Sequence, residues 1–301
     1  MRLPSIIRSV ASIACLERHE PPVSYPLGLT PIPHWGHNPT NLDMKAYIPR
    51  VVENSPAVIL ALHGCGGSSL MHRVVANYDR EASRKGFIVV YPSTPNDHRC
   101  WDVSSNKSLT YEGGGDSTGL ANMMRYMIDK YNADPMRIFV QGTSSGCMMT
   151  NVLLATYPDI FRGGSCYSGL PAGCLAGSPG SSAQKSNPAC AFGENIKTGE
   201  EWAKIVRGMR PKWDGGYPRL QTFHGTGDEF ISYNNLGEQL KQWSTIHGIN
   251  FTRNFTDSPQ PGDTKMVYGD GSLLVGISVH YGGHPIPVDV DADLDWFGLL
   301  G

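Results

Sequence analysis

A serine flanked by glycines follows a strand-forming run in the middle of this chain. Residues 137–141 contain Ile, Phe and Val, Gly142-Thr143-Ser144-Ser145-Gly146 comes next, and an apolar, helix-forming stretch follows. In a strand–turn–helix setting this Gly-x-Ser-x-Gly pattern exposes the serine hydroxyl at the end of a sheet, because the glycines leave room for a sharp turn. Such a serine attacks acyl carbons and forms a covalent acyl-enzyme. We therefore predict that Ser144 is a nucleophile.

A second match to the pattern, Gly115-Asp116-Ser117-Thr118-Gly119, lies in a different context. It follows a loop-like segment, residues 110–114, and not a buried strand. Asp and Ser are favoured at helix starts, where their side chains accept hydrogen bonds from free backbone N–H groups. We therefore predict that Asp116 and Ser117 form the N-terminal cap region of the next helix and that Ser117 is structural.

A serine nucleophile needs a carboxylate and a histidine, and in this architecture they follow the serine in that order. Asp228 comes directly after a predicted strand at residues 220–224, where the loops that build a site are expected. We predict that Asp228 is the carboxylate of the charge relay. The other candidates after Ser144 lie in turns or polar loops: Asp159, Asp214, Asp257, Asp263 and Asp270.

Three histidines follow Asp228, and their settings differ. His247 closes a predicted helix and His280 ends the last predicted strand, whereas His284 lies in a loop with two glycines before it and two prolines shortly after. We predict that His284 takes the proton of the serine while the carboxylate fixes its tautomer, with His280 as the alternative base. Activity should then fall in acid, because a histidine with the reference pKa of about 6.5 becomes protonated and cannot act as a base.

The tetrahedral intermediate of this reaction needs backbone donors for its oxyanion. One predicted donor is the N–H of Ser145, directly after the nucleophile. The second is expected from the glycine-rich loop His63-Gly64-Cys65-Gly66-Gly67, which follows an early predicted strand, and we assign it to the N–H of Cys65. An ordinary glycine-rich turn is the alternative interpretation of this loop.

The elements that must position these residues alternate along the chain. Apolar runs predict strands at residues 44–48, 57–62, 87–91, 137–141, 164–167, 220–224 and 273–280. Helical patterns occupy residues 71–85, 120–131, 145–157 and 236–247. This alternation predicts an α/β protein with a mostly parallel central sheet and helices on both faces. Together with the serine turn at residues 142–146, it indicates the α/β-hydrolase fold. We expect an irregular N-terminal segment at residues 1–40 and a single catalytic domain at 41–301, with no appended binding module.

Composition narrows the class of protein further. The 301 residues carry a net charge of −2 with no cluster of Lys or Arg, which argues against nucleic-acid and membrane partners. There is no Cys-x-x-Cys pair, and His34 and His37, although spaced like metal ligands, lack an acidic neighbour. We therefore expect neither a metal nor a cofactor, and metal-dependent deacetylation is a minor alternative.

Several features favour an extracellular location. Six of the seven cysteines lie in the body of the chain, an even number typical of an oxidised protein, and Cys15 lies in the N-terminal segment. Glycosylation acceptor patterns begin at Asn106, Asn250 and Asn254. The N-terminus is a weak signal peptide, because Pro4 and Arg8 interrupt its apolar run, so either it works despite them or the start is misassigned.

With these motifs placed, the chain resembles the carbohydrate esterase family of fungal acetylxylan esterases and type B feruloyl esterases, whose wider relatives include polyhydroxybutyrate depolymerases. Seven ordered segments from Asn38 to the end carry the resemblance. They are His63-Gly64-Cys65, Cys100-Trp101-Asp102-Val103, Gly142–Gly146 with Met148-Met149-Thr150-Asn151, Tyr167-Ser168-Gly169 with Pro171-Ala172-Gly173-Cys174, His224-Gly225-Thr226 with Asp228, Gly283-His284 with Ile286-Pro287, and Trp296-Phe297-Gly298.

The resemblance implies the same three relay residues that chain order predicts: Ser144, Asp228 and His284. It also implies disulfides joining Cys65 to Cys100 and Cys174 to Cys190. Relatives tend to carry small apolar residues at the two remaining positions, so Cys147 and Cys166 are interpreted as two buried small hydrophobes, with an oxidisable thiol at Cys147 as the alternative.

The substrate is less well defined by the sequence. Trp101 and Trp202 are the aromatic side chains expected near a sugar-binding cleft, with core packing as the alternative. No extended aromatic cluster lies beside the motifs, which favours removal of acetyl groups from acetylated xylan, a plant cell-wall polysaccharide. Feruloyl ester hydrolysis on arabinoxylan is the main alternative. A polyhydroxybutyrate depolymerase, a serine peptidase and an inactive hydrolase-fold binding protein are the others.

Overall fold

A ten-stranded sheet runs through residues 28–300, the part of the chain that the computed structural model describes. The predicted leader, Cys15 and the first part of the N-terminal segment lie outside the described residues. The strands are β1 Thr30–Pro31, β2 Asp43–Tyr47, β3 Val58–Leu62, β4 Ile88–Ser93, β5 Ile138–Thr143, β6 Gly163–Tyr167, β7 Arg219–Gly225, β8 Phe251–Thr256, β9 Thr264–Tyr268 and β10 Leu274–Val279.

Nine α-helices accompany the strands within the described residues. They are α1 Ser69–Ala76, α2 Asp79–Lys85, α3 Asp116–Tyr131, α4 Ser145–Thr156, α5 Ala183–Ser186, α6 Pro188–Ala191, α7 Gly199–Met209, α8 Asn234–His247 and α9 Val290–Phe297. None of these helices combines the length and the apolar character needed to cross a membrane.

The sheet order is β1-β2-β4-β3-β5-β6-β7-β10-β9-β8. The six central strands, from β4 to β10 in this order, are parallel, and antiparallel strands flank them on both edges. Because side chains alternate along a strand, β3 contributes to cores on both faces. Val58 packs in the core that holds α3 and α4, and Ile59 packs in the core that holds α2 and α9. The predicted helix-covered parallel sheet is confirmed.

The structure departs from the sequence-based expectations at particular elements. The predicted helix at residues 71–85 is two helices, because Asn77 adopts a left-handed conformation with φ of 50° and ends α1. The antiparallel pair β8 and β9 and the helices α7 and α9 were not predicted. In β8 every residue is exposed, so the strand carries no alternation of buried and exposed side chains that could reveal it.

Three disulfides are present among the described residues: Cys65–Cys100, Cys147–Cys166 and Cys174–Cys190. The first and third join the cysteines that the resemblance pairs. The second corrects the interpretation of Cys147 and Cys166 as two separate small hydrophobes. Cys147 on α4 faces Cys166 on β6 with their Cα atoms 4.6 Å apart, which is within the range for a disulfide.

A buried carboxyl group ties α9 to the sheet. Asp293 is fully buried and accepts hydrogen bonds from the hydroxyls of Tyr78, Ser165 and Tyr167 and from the Gln221 amide. Burial raises the pKa of Asp293 to about 7, although the hydroxyl donors oppose this shift. Stability should therefore depend on pH through this group.

Candidate active site

Ser144 lies between the end of β5 and the start of α4, on a turn with unusual backbone geometry. Its φ of 56° is in the left-handed region, which a residue with a side chain adopts only when the surroundings enforce it. A side chain at Gly142 would collide with the Gly146 backbone, and one at Gly146 would collide with the Leu62 carbonyl. The two glycines therefore allow the turn that presents the serine at the end of the parallel sheet.

A continuous chain of hydrogen bonds joins Ser144, His284 and Asp228. The Nε2 atom of His284 lies 2.8 Å from Ser144 Oγ, and its Nδ1 atom lies 2.7 Å from Asp228 Oδ2. These distances are those of a serine whose proton a histidine can remove. His280, the alternative base, does not bond the serine; its backbone amide donates to Asp263, and its ring contacts that of Tyr281 at an interplanar angle of 42°.

Asp228 is held as an anion by its surroundings. Its Oδ1 atom accepts hydrogen bonds from the amides of Phe230 (2.9 Å) and Ile231 (2.8 Å). His224 Nε2 lies 3.3 Å from Oδ2, the atom that also faces His284. Burial opposes ionisation, but the hydrogen bonds from His224, His284 and Ile231 outweigh it and hold the pKa of Asp228 well below its usual range. His224 is a supporting residue that was not singled out, although it belongs to the motif preceding Asp228.

The segments that carry the two predicted oxyanion donors meet at the serine, and Cys65 lines the same cleft. The loop after β3 approaches Ser144 so closely that a Cβ on Gly64 would lie 3.3 Å from the serine Cβ. Within residues 28–300, neither the Cys65 nor the Ser145 amide donates a hydrogen bond to another protein group. Both N–H groups are therefore free to receive the oxygen of an acyl group.

Trp101 corrects the expectation of a sugar-binding residue. Its side chain is fully buried, so it cannot contact a sugar in a cleft. Its backbone amide donates to Ser145 Oγ (2.8 Å) and its indole N–H donates to the His63 carbonyl (2.9 Å). Because Cys100 is bonded to Cys65, this segment is also covalently linked to the oxyanion loop. Trp101 therefore connects both segments that carry the free amides.

Trp202 was also expected near the substrate, and this prediction is wrong as well. The side chain is fully buried on α7, and its indole N–H donates to Glu238 Oε2 at 2.8 Å. It packs in the main core and does not line the cleft at Ser144.

A cleft of about 500 Å³ opens at Ser144. Its walls are largely apolar and are formed in part by Met71, Val75, Met148, Phe230, Ile231 and Pro285. The segment Ser182-Ala183-Gln184 lines it as well. The sequence analysis did not single out Met71, Val75 or Phe230; the only signal was the position of Phe230, two residues after Asp228.

Two further histidines line the cleft but are unsuited to general base catalysis. Burial lowers the pKa of His72 to about 4, although its hydrogen bond with Gln141 (2.9 Å) opposes this. Burial likewise lowers the pKa of His63, whose Nδ1 atom bonds the Gly64 carbonyl. Among residues 28–300 no group of three or more His, Cys, Asp or Glu side chains is placed to hold a metal ion.

Comparisons with known proteins agree with this geometry. Residues 42–184 match the family model described as esterase PHB depolymerase. Feruloyl esterase B of Talaromyces stipitatus is 42% identical over 280 residues, which cover 93% of this chain and 78% of that protein. Acetylxylan esterase A of Emericella nidulans is 40% identical over 287 residues, which cover 94% of this chain and 92% of that protein.

A solved structure, the acetyl xylan esterase from Aspergillus awamori, has the same fold. It superimposes with a TM-score of 0.86 at 37% identity, over 90% of this chain and 99% of that one. The α/β-hydrolase fold is established by the mostly parallel sheet, by the serine turn at the carboxyl end of β5 and by these relatives. The chain therefore belongs to the family of carboxylic ester hydrolases that contains feruloyl esterase B and acetylxylan esterase A.

Proposed function

We propose that this enzyme removes acyl groups from the ester-decorated xylan of plant cell walls by a serine acyl-enzyme mechanism. The observation that carries the mechanism is the chain of hydrogen bonds from Asp228 through His284 to Ser144 at the base of an open cleft. The relatives named for xylan and ferulate esters support the substrate class.

In the first half-reaction His284 Nε2 takes the proton of Ser144 as the serine oxygen attacks the ester carbonyl. The amides of Cys65 and Ser145 donate to the oxyanion. Asp228 accepts from Nδ1–H, which fixes the tautomer and stabilises the imidazolium. The imidazolium then protonates the leaving alcohol. Water, activated by the same histidine, releases the acid in the second half-reaction.

The cleft favours an aromatic acyl group. At about 500 Å³ it falls within the range of roughly 300–1,000 Å³ that holds small-molecule ligands. Its apolar walls match the phenyl ring of a feruloyl group, whereas an acetyl group fills little of that space. Of the segment Ser182-Ala183-Gln184, which also lines the cleft, Ser182 and Ala183 carry small side chains. We infer that feruloyl esters are substrates of this cleft.

Acetylated xylan is the second candidate substrate, and it is the one that the sequence analysis favours. The structural agreement with an acetyl xylan esterase, at a TM-score of 0.86, supports it. An acetyl group meets no steric obstacle in a cleft of this size. Both substrates require the same serine chemistry and differ in how much of the cleft the acyl group occupies.

The test measures ferulate released from methyl ferulate and acetate released from acetylated xylan in parallel. We expect ferulate release, with Ser144→Ala abolishing both activities and Ser117→Ala, the serine of the second motif, retaining them. Acetate release alone would assign the enzyme to acetylated xylan. If neither acid is released, or if Ser144→Ala is as active as the parent, the proposed function is wrong.

A peptidase and an inactive binding protein remain the competing hypotheses. Labelling of Ser144 by a fluorophosphonate, absent in Ser144→Ala, supports a working nucleophile. Failure to label would favour the binding protein. Cleavage of a peptide at a rate matching that of the esters would favour the peptidase.

We also propose that the enzyme acts outside the cell. Three disulfides are typical of an oxidising compartment. Asn106, Asn250 and Asn254 are all exposed, so each acceptor is accessible to glycosylation. Protein secreted by a fungal host should lose mass on treatment with an N-glycosidase and should contain no free thiol among the six cysteines. Free thiols at these positions would contradict the proposal.

A further inference from the structure

The roles proposed for His284 and the two amides impose a direction on any bound ester. The imidazolium protonates the leaving alcohol, so the alcohol must lie on the His284 side of Ser144. The carbonyl oxygen points at the amides of Cys65 and Ser145. The acyl chain therefore extends away from His284, into the opposite side of the cleft.

Phe230 is the aromatic residue on the His284 side. Its ring centroid lies 5.6 Å from that of His284, and the residue is 54% exposed, so the ring is accessible from the cleft. Its backbone amide donates to Asp228 Oδ1 at 2.9 Å, which fixes the base of the side chain. The structure thus holds an exposed aromatic surface where the leaving alcohol must lie.

Met71 and Val75 form the apolar wall on the other side. Both lie on α1, which begins two residues after the oxyanion loop, and they are 58% and 49% exposed. In the sheet, β3 lies directly on one side of β5. On the other side of β5 lie β6 and then β7. The segments that follow β3 and β7, namely α1 and the Phe230 loop, therefore flank Ser144 from opposite sides.

We infer that the cleft is divided at Ser144, with Phe230 receiving the sugar of the leaving alcohol and Met71 and Val75 receiving the acyl group. An aromatic ring presents a flat apolar face to the C–H groups of a sugar ring. On α1, the flexible Met71 side chain and the branched Val75 side chain present an apolar wall to a phenyl ring. This inference rests on the proposed function, because it assumes that the substrate is an acylated sugar.

The test separates the two halves of the substrate. Values of kcat/KM are measured for methyl ferulate, for feruloylated arabinose, which changes only the alcohol, and for methyl acetate, which changes only the acyl group. For Phe230→Ala, kcat/KM on feruloylated arabinose divided by kcat/KM on methyl ferulate (the alcohol ratio) should fall by about three- to tenfold, and Phe230→Tyr should restore it. For Met71→Ser, kcat/KM on methyl ferulate divided by kcat/KM on methyl acetate (the acyl ratio) should fall by about tenfold.

Val74→Ser is the matched control on α1. Val74 is 78% exposed but does not line the cleft, so neither ratio should change. If Phe230→Ala changes the acyl ratio and Met71→Ser changes the alcohol ratio, the assigned direction is wrong. If neither variant changes either ratio, the division of the cleft is wrong although ester hydrolysis stands. Failure of the proposed function is a separate result, namely that Ser144→Ala hydrolyses the esters as fast as the parent.

Discussion

Replacing Trp101 by phenylalanine tests whether the buried indole positions the oxyanion donors. The change removes the indole N–H that donates to the His63 carbonyl at 2.9 Å and leaves an aromatic ring in the same space. The backbone bond to Ser145 Oγ and the Cys65–Cys100 disulfide are retained. The variant therefore isolates one contact of the oxyanion loop.

The expected effects follow from two magnitudes. A buried carbonyl that loses its donor costs about 1–3 kcal/mol of folding free energy. Complete loss of one oxyanion donor costs roughly 10²–10³ in kcat, but here the Cys65 amide is loosened and not removed. We therefore expect kcat to fall by about tenfold while KM changes little, because the contact acts on a donor whose hydrogen bond is stronger in the transition state than in the bound substrate.

Trp202→Phe provides the control, since Trp202 is equally buried and its indole N–H also has one partner, Glu238. Both variants are compared by urea unfolding and by kcat and KM on methyl ferulate. Both should lose stability, and only Trp101→Phe should lose kcat. If Trp101→Phe keeps the kcat of the parent while losing as much stability as Trp202→Phe, the indole does not position the oxyanion loop.

Three further predictions concern the relay, a disulfide and a buried acid. Asp228→Asn should lower kcat by roughly 10³–10⁴ without unfolding the protein, since an amide favours the wrong tautomer of His284; a loss under tenfold would contradict this. Replacing Cys147 and Cys166 by alanine should lower the unfolding free energy in urea by about 2–4 kcal/mol, and no change would argue against that bond. Burial raises the pKa of Asp293 to about 7, so its protonated form stabilises the fold below about pH 4, and this contribution of up to about 4 kcal/mol is lost as pH rises to 7. Asp293→Asn should therefore remove the decrease in unfolding free energy between about pH 4 and pH 7. If the variant keeps that decrease, another group causes it.

The sequence indicates the three residues that the structure joins by hydrogen bonds, because each is marked by local chain geometry. Ser144 sits between glycines after a strand, Asp228 follows another strand directly, and His284 follows a glycine pair. These are properties of neighbours in the chain, which a sequence displays. The bounds of β3, β5 and α4 agree with the expected ones to within one or two residues for the same reason.

What the sequence could not show depends on contacts between distant segments. Whether Trp101 faces a cleft or the core is decided by the segments packed around it. The Cys147–Cys166 bond depends on α4 lying against β6, 19 residues further along the chain. The break between α1 and α2 depends on one residue, Asn77, which adopts a left-handed conformation within a helical pattern. Asparagine adopts both the helical and the left-handed conformation, so the residue type alone does not show the break.

The positions of Trp101 and Phe230 separate two tasks in the site. Electrostatic stabilisation of an oxyanion requires donors that are fixed before charge develops, and the Cys65–Cys100 bond together with the two Trp101 hydrogen bonds provides that rigidity from beneath the cleft. The side chains that we infer to meet the substrate, Phe230 and Met71, are half-exposed and make none of these contacts. Acyl and sugar preference can therefore change at the cleft walls without disturbing the catalytic core. Such a separation is consistent with relatives that are named for feruloyl and for acetyl esters and have similar identity to this chain. We therefore expect substitutions in the cleft walls, and not in the motifs, to change substrate preference.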